Sequence, residues 1–171
     1  MATGTNKNCR LDWNFYLRDR DLYLKALRFL AKKAVPEAQH NLGWHYYAGE
    51  GVRRNYKTAH KWFKLAAGQG LAEAQYAMSE FYREGLGVRK NARTAGKWLE
   101  KSLQQNCSFA QHYMGHLYWV GVEVPKNLKK ALKWNKLAAD QGLAYSQYAM
   151  SEFYREGLGV RKNARTAGKW L

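Results

Sequence analysis

The chain has 171 residues, 46% hydrophobic and 15% aromatic, with a formal net charge of +16. This is enough apolar mass for a packed core, while no apolar run approaches the ~20 residues that span a bilayer. The polar start MATGTNKNCRLDW carries no secretory h-region, so a cytoplasmic protein is expected.

In chain order, residues 1–10 read as a disordered polar tail. Residues 11–35 read as an N-terminal capping region, the degenerate second helix of a half-repeat. Its apolar residues Leu22, Tyr23, Ala26, Leu27, Leu30, Ala31 and Ala34 recur at helical spacing. Pro36 suits a first helical turn. A helix A is expected over Glu37–Tyr47, burying Ala38, Leu42, His45 and Tyr46, with Gly43 small enough for a neighbouring helix to approach. Gly49 suits the left-handed position that ends a helix. Gly51 allows a further turn, and Val52 can dock back on the core. Asn55 is placed to cap helix B, expected over Tyr56–Gly68 with Ala59, Trp62, Phe63, Ala66 and Ala67 buried.

The same plan predicts A helices over 73–84, 109–119 and 145–156, and B helices over 92–103, 128–140 and from Ala164 onward. The third loop, GVEVPKN, has Glu123 where the others have a second glycine, and should turn less sharply. The last B helix reaches Leu171, the counterpart of Leu99. Such an end leaves Trp170 and Leu171 as uncapped apolar surface. It reads either as an interrupted stack or as a surface for end-to-end self-association.

The plan recurs because the sequence does. Gln147–Leu171 copies Gln75–Leu99 letter for letter. At half the shift between those copies, Gly49, Gly85, Gly121 and Gly157 fall in step, as do Trp62, Trp98, Trp134 and Trp170. The series begun by Ala38, Tyr46, Val52, Asn55 and Ala59 keep step with them. A period of this length marks an array of supersecondary units, here four all-α repeats over about 36–71, 72–107, 108–143 and 144–171.

The constellation Ala38, Leu42, Gly43, Tyr46, Gly49, Gly51, Val52, then Ala59, Trp62, Ala66 and Ala67, resembles the Sel-1-like repeat family, a relative of the tetratricopeptide repeats. The resemblance covers residues 36–171. It implies a right-handed α-solenoid of antiparallel helix pairs and an adaptor or scaffold that binds other proteins. Asn55 and its equivalents stand where the family commonly has Asp; both residues cap. A secreted subgroup bridges each repeat with a cysteine pair, and some members were described as penicillin-binding or β-lactam-hydrolysing. This chain lacks those cysteines, so that activity is not carried over.

No catalytic constellation stands out, and a non-catalytic role without cofactor is expected. Cys9 and Cys107 occupy no repeated position, which argues against a disulfide framework and leaves too few thiols for a zinc site. His112 and His116, in HYMGH, have the spacing of two metal ligands. However, no third ligand is evident, and position 112 holds a ring with a polar tip in every repeat (His40, Tyr76, Tyr148). The Gly pairs of GEGV and GLGV are explained by the turn.

The expected functional surface is the concave face lined by A helices. Its off-core positions are His40, Asn41, Trp44 and Tyr47; Tyr76, Glu80 and Arg83; His112, Tyr113, His116 and Trp119; Glu152 and Arg155. Trp44, Tyr113, His116 and Trp119 break the duplicated pattern with rings, and aromatic residues and Arg are common interface anchors. Packing between repeats would explain the same rings. A protein or peptide partner in this groove is the first reading. The second is nucleic acid or another anionic surface, suggested by the charge. The Lys and Arg, though, lie mainly on B helices and loops, and no nucleic-acid-binding motif is present.

Overall fold

The computed structural model describes residues 19–170. The polar tail 1–10, the start of the region 11–35 and Leu171 lie outside the described residues. Within them the chain forms nine helices: α1 (Arg20–Lys32), α2 (Pro36–Ala48), α3 (Tyr56–Gly68), α4 (Ala72–Glu84), α5 (Ala92–Gln104), α6 (Ser108–Val120), α7 (Leu128–Asp140), α8 (Ala144–Glu156) and α9 (Ala164–Ala167). The architecture is all-helical, in sequential antiparallel pairs that follow the repeat period.

Helices α1 to α8 are all equally long, because their start and stop signals are copied. Helices α3, α7 and α9 start at Asn55, Asn127 and Asn163, whose side chains accept from the N–H three residues on at 2.9–3.0 Å. Asn91 does the same for Thr94 at 2.9 Å. Each cap satisfies a donor that the first helical turn leaves orphaned. The A helices stop at Gly49, Gly85, Gly121 and Gly157, all left-handed with φ from 74° to 80°, a conformation that costs glycine nothing. The backbone then doubles back: the N–H of each capping Asn donates to the carbonyl of Tyr46, Tyr82, Tyr118 or Tyr154 at 2.8–2.9 Å. The second loop glycine has a further reason. A Cβ on Gly87 would stand 2.6 Å from the backbone of Tyr56 and Lys57, and one on Gly159 2.8 Å from Leu128. Glu123, in the third loop, is not among the residues with positive φ.

The chain divides into two compact units, Met1–Trp98 and Leu99–Leu171, the boundary falling within α5. In the first, α1 packs on α2, α2 on α3 and α3 on α4. Tyr23, Leu24, Leu27 and Ala31 of α1 meet Ala38 and Leu42 of α2. Ala59, Phe63, Ala66 and Ala67 of α3 meet Ala74, Ala77, Met78 and Phe81 of α4. Leu24 belongs to the buried stripe of α1, while Leu22, Ala26 and Ala34 are exposed. The repeated tryptophans are half-buried rather than core. Trp62 packs on the α1–α2 cluster and Trp98 on the α3–α4 cluster, so each fastens a B helix to the pair before it. Tyr46 is likewise half-buried.

In the second unit α6 packs on α7, α7 on α8 and α8 on α9. Its buried residues include Ala110, Tyr113, Leu117, Ala131, Ala138, Ala139, Met150 and Phe153. Helix α9 is shorter than its sequence suggests. The letters ARTAGKWL are helical throughout in α5, yet at 164–171 the helix ends at Ala167. Beyond it Lys169 and Trp170 donate to the carbonyls of Thr166 and Ala167 in i→i+3 bonds.

One repeated device is polar. Gln39, Gln75 and Gln147 hold the same position in their repeats. Each donates its side-chain amide to a carbonyl of the preceding helix (Ala31, Ala67, Ala139) at 3.1–3.4 Å. The bond ties each A helix to the end of the B helix before it. Gln111 holds the same position and accepts from Gln141 at 2.7 Å.

Candidate functional site

Side chains at i, i+4 and i+7 share one helix face. On α2 this places His40, Trp44 and Tyr47 together; on α6, His112, His116 and Trp119. The two sets lie two repeats apart and occupy matching positions, but they behave differently.

In the first unit the set is closed by its own rings. Phe63 of α3 lies against Gly43, where a Cβ would come within 2.9 Å of the ring. Trp44 stacks edge-on against Phe63 at 5.7 Å and Tyr47 at 5.1 Å, and Phe63 meets Phe81 at 5.3 Å. The Trp44 indole N–H donates to His40 Nε2 at 3.0 Å. Burial holds the His40 imidazole below its ordinary value of 6.5, partly offset by a hydrogen bond with Asn41. A bare Nε2 is also what accepting the indole proton requires. On α4, Glu80 Oε1 accepts from Tyr76 Oη at 3.0 Å and from Arg83 at 3.4 Å. Burial pushes this carboxyl up, with Tyr76 and Arg83 opposing.

In the second unit the corresponding place is a cleft of about 330 Å³ between α6 and α8. It is lined by His112, His116, Trp119 and Val120 of α6, Asn135 of α7, and Tyr145, Tyr148, Ala149, Glu152 and Phe153 of α8. Two exchanges at matched positions remove ring bulk and a third adds a hydroxyl. Phe63 becomes Asn135, Trp44 becomes His116, and Ala74 becomes Ser146. Asn135 is 3% exposed, lies over Gly115 and donates to the Ala131 carbonyl at 3.0 Å. Its Oδ1 therefore faces His112 Nδ1, at 3.1 Å, with Ser146 Oγ also at 2.8 Å from that nitrogen. An amide oxygen only accepts, so Nδ1 carries the proton and Nε2 of the neutral ring is an acceptor. Burial keeps this imidazole below its ordinary 6.5; the Asn135 bond works against that and His116 adds to it.

The walls are aromatic. Trp119 meets Phe153 edge-on at 5.0 Å, while Tyr145 and Tyr148 are 73% and 59% exposed. Arg155 holds Glu152 through Oε2 at 2.5 Å, and Glu152 Oε1 is buried with no hydrogen-bond partner among the described residues.

Of the residues expected on this face, the cleft gathers His112, His116, Trp119 and Glu152, with Arg155 paired to Glu152 at its edge. His40, Trp44 and Tyr47 form the closed aromatic set, and Tyr76, Glu80 and Arg83 a hydrogen-bonded row on α4. Asn41 is half-buried beside His40. Tyr113 is a correction: it is buried, its hydroxyl 3.4 Å from Glu123, because position 113 faces the core of its unit. Asn135 and Tyr145 were not expected. Asn135 stands at a core position of a B helix, where only its departure from Phe63 in the repeat alignment marks it. Among the described residues no three His, Cys, Asp or Glu side chains come together as a metal site, and none of the helices is long and apolar enough to cross a membrane. Cys107 is buried and unpaired.

The charge is segregated. Helices α2, α4, α6 and α8 carry Glu37, Glu73, Glu80, Glu84, Glu152 and Glu156 against Arg83 and Arg155 alone. Helices α3, α5 and α7 carry ten Lys and Arg against Glu100 and Asp140. A net +16 chain thus presents acidic A helices.

The Sel1 repeat profile matches residues 36–71, 72–107, 108–143 and 144–171. The fold is similar to a Sel1 repeat protein from Oxalobacter formigenes, at 36% identity and a TM-score of 0.70, over 87% of this chain and 42% of that one. It is also similar to c5321, a protective antigen of uropathogenic Escherichia coli strains with an SLR fold, at 32% identity and a TM-score of 0.65, over 86% of this chain and 32% of that one. A Sel1 repeat protein from Klebsiella pneumoniae subsp. pneumoniae shares the fold at 17% identity and a TM-score of 0.59, over 92% and 79% of the two chains. The chain spans less than half the length of the first two, and no curated protein matches it in sequence at a significant level. With four matched repeats over residues 36–171, the chain belongs to the Sel1 repeat family.

Proposed function

We propose that this Sel1-repeat scaffold is a non-catalytic adaptor that binds a peptide segment of another protein in the cleft between α6 and α8. The observation that carries the reading is the cleft itself. It is open, of about 330 Å³, and walled by the aromatic residues Trp119, Tyr145 and Tyr148. Rigid rings on helices present contact area at little entropic cost, which is what interface anchors need.

The test is selection of peptides from a random display library on the intact chain, followed by titration of the winners. Tyr148→Ala is the diagnostic variant, because Tyr148 is largely exposed and its removal should leave the melting temperature unchanged. Selected peptides should bind at least about tenfold more weakly to this variant, a loss of about 1.4 kcal/mol. Peptides indifferent to Tyr148→Ala and Trp119→Ala would place the binding surface elsewhere.

A second reading rests on a separate feature of the first unit. An open cleft of about 520 Å³ is lined by Arg28, Arg53 and Arg54 with Tyr46, Gly51, Val52 and Asn55. Three guanidinium groups suit an anionic partner. Retention of a nucleic-acid probe should then fall steeply with salt. Absence of binding at low salt would remove this reading.

A further inference from the structure

We propose that the cleft between α6 and α8 is a receptor for a cationic side chain, lysine or arginine, projecting from the bound peptide. The inference rests on reading that cleft as a peptide site and names what it selects.

Its interior is built to accept hydrogen bonds and to face positive charge. His112 uses its Nδ1 proton on Asn135 and Ser146, which leaves Nε2 as an acceptor. In the first unit the equivalent nitrogen, His40 Nε2, is taken by the indole of Trp44 at 3.0 Å. Here His116 stands in place of that tryptophan, so the indole donor is absent. Glu152 supplies the second acceptor. Its counterpart Glu80 has Oε1 satisfied by Tyr76, whereas Glu152 Oε1 has no partner among the described residues and Tyr148 stands out in solvent. The terminal torsion of a glutamate is soft, so this oxygen can turn to an entering donor while Arg155 keeps Oε2. Two acceptors, one of them anionic, meet a ligand that carries several N–H donors and a positive charge.

The walls agree. Trp119, Tyr145 and Tyr148 line it, and aromatic rings attract ammonium and guanidinium groups. A volume of about 330 Å³ is at the low end of ligand clefts, suited to one side chain rather than to a cofactor. The two helices that wall it carry complementary charge: Glu152 and Glu156 outnumber Arg155 on α8, and α6 carries no Lys or Arg. An anionic group would meet a carboxylate and the lone pair of His112 Nε2, so the same atoms exclude it.

The experiment uses the full chain, labelled with ¹⁵N, and follows the Trp119 indole N–H signal, assigned through Trp119→Phe. The probes are N-acetylarginine methylamide and its neutral isostere, N-acetylcitrulline methylamide. The arginine probe should move the Trp119 signal saturably and the citrulline probe should bind at least about tenfold more weakly. Glu152→Gln should weaken the arginine probe by about tenfold or more. His116→Trp should abolish the shift by filling the cleft as Trp44 fills its own, with an unfolding midpoint no lower than wild type. Equal binding of the two probes, an arginine titration unaffected by Glu152→Gln, or no shift at Trp119 would each overturn the proposal. The two readings fail separately. Display-selected peptides that need Tyr148, lack Lys and Arg and ignore Glu152→Gln would leave the peptide scaffold standing and remove the cation receptor. An arginine probe that binds through Glu152 when no peptide is selected would do the reverse.

Discussion

The two units share a backbone plan and differ in what fills it. Caps, left-handed glycines and glutamine clips recur at matched positions in both. The space between paired A helices does not: the first unit fills it with Phe63 and Trp44, the second leaves it open over Asn135 and His116. Two side chains, each two repeats on from its counterpart, replace a solid aromatic contact with a lined cleft. The comparison teaches that the repeat specifies where helices begin, end and pack, and that a few interior residues then decide whether a face is structural or available.

The largest test of this contrast is truncation at the matched B-helix position. Phe63→Ala removes a ring that is 0% exposed and in contact with Trp44, His40 and Phe81. It should cost about 3–5 kcal/mol in a denaturant melt. Asn135→Ala should cost less, about 1–3 kcal/mol, through the His112 proton it leaves to Ser146 alone. Equal costs would mean that the second unit is packed as tightly as the first.

A smaller effect should show no contrast. Asn55→Ala and Asn127→Ala each remove a cap of the same geometry, so both should cost about 1 kcal/mol. A clear difference between them would break the claim that the backbone plan is shared.

The smallest effect is in pH. Both His40 and His112 are held below 6.5 chiefly by burial. The unfolded chain therefore takes up protons at these sites before the folded chain does. Stability is full above pH 6.5 and is lost as pH falls from there through the folded-state values. Charging His40 also breaks its acceptance of the Trp44 indole, whereas charged His112 still donates through Nδ1. His40→Asn should therefore flatten the pH dependence of the melting temperature more than His112→Asn. The opposite order would show that the polar network of the second unit is the less tolerant of charge.

Much of this was legible as text. Helix A of the first repeat was expected over 37–47 and runs over 36–48, and the B helix over 56–68 stands as read. The signals there are local: a proline, a capping asparagine, a glycine that turns left-handed at no steric cost. The expected face was legible in part, because positions 40, 44 and 47 follow from helical spacing. Tyr113 was misplaced, since the same spacing does not say how wide the buried stripe of α6 is. The glutamine clips keep the repeat period too, but the period alone does not say that their amides reach the preceding helix. Asn135 was hidden for the opposite reason: it breaks a core pattern, and only its partners His112 and the Ala131 carbonyl explain how a buried amide is satisfied.

By itself, then, the sequence determined the helices, their period, their pairing and the family, because each is written in short-range chemistry repeated four times. Tertiary structure alone decided that one matched face is closed and the other open. That outcome depends on which side chains, distant in sequence, meet across α6, α7 and α8, and on whether a donor reaches His112 Nε2 and Glu152 Oε1. Contacts of that kind have no periodic signature, since they arise where the repeats depart from one another.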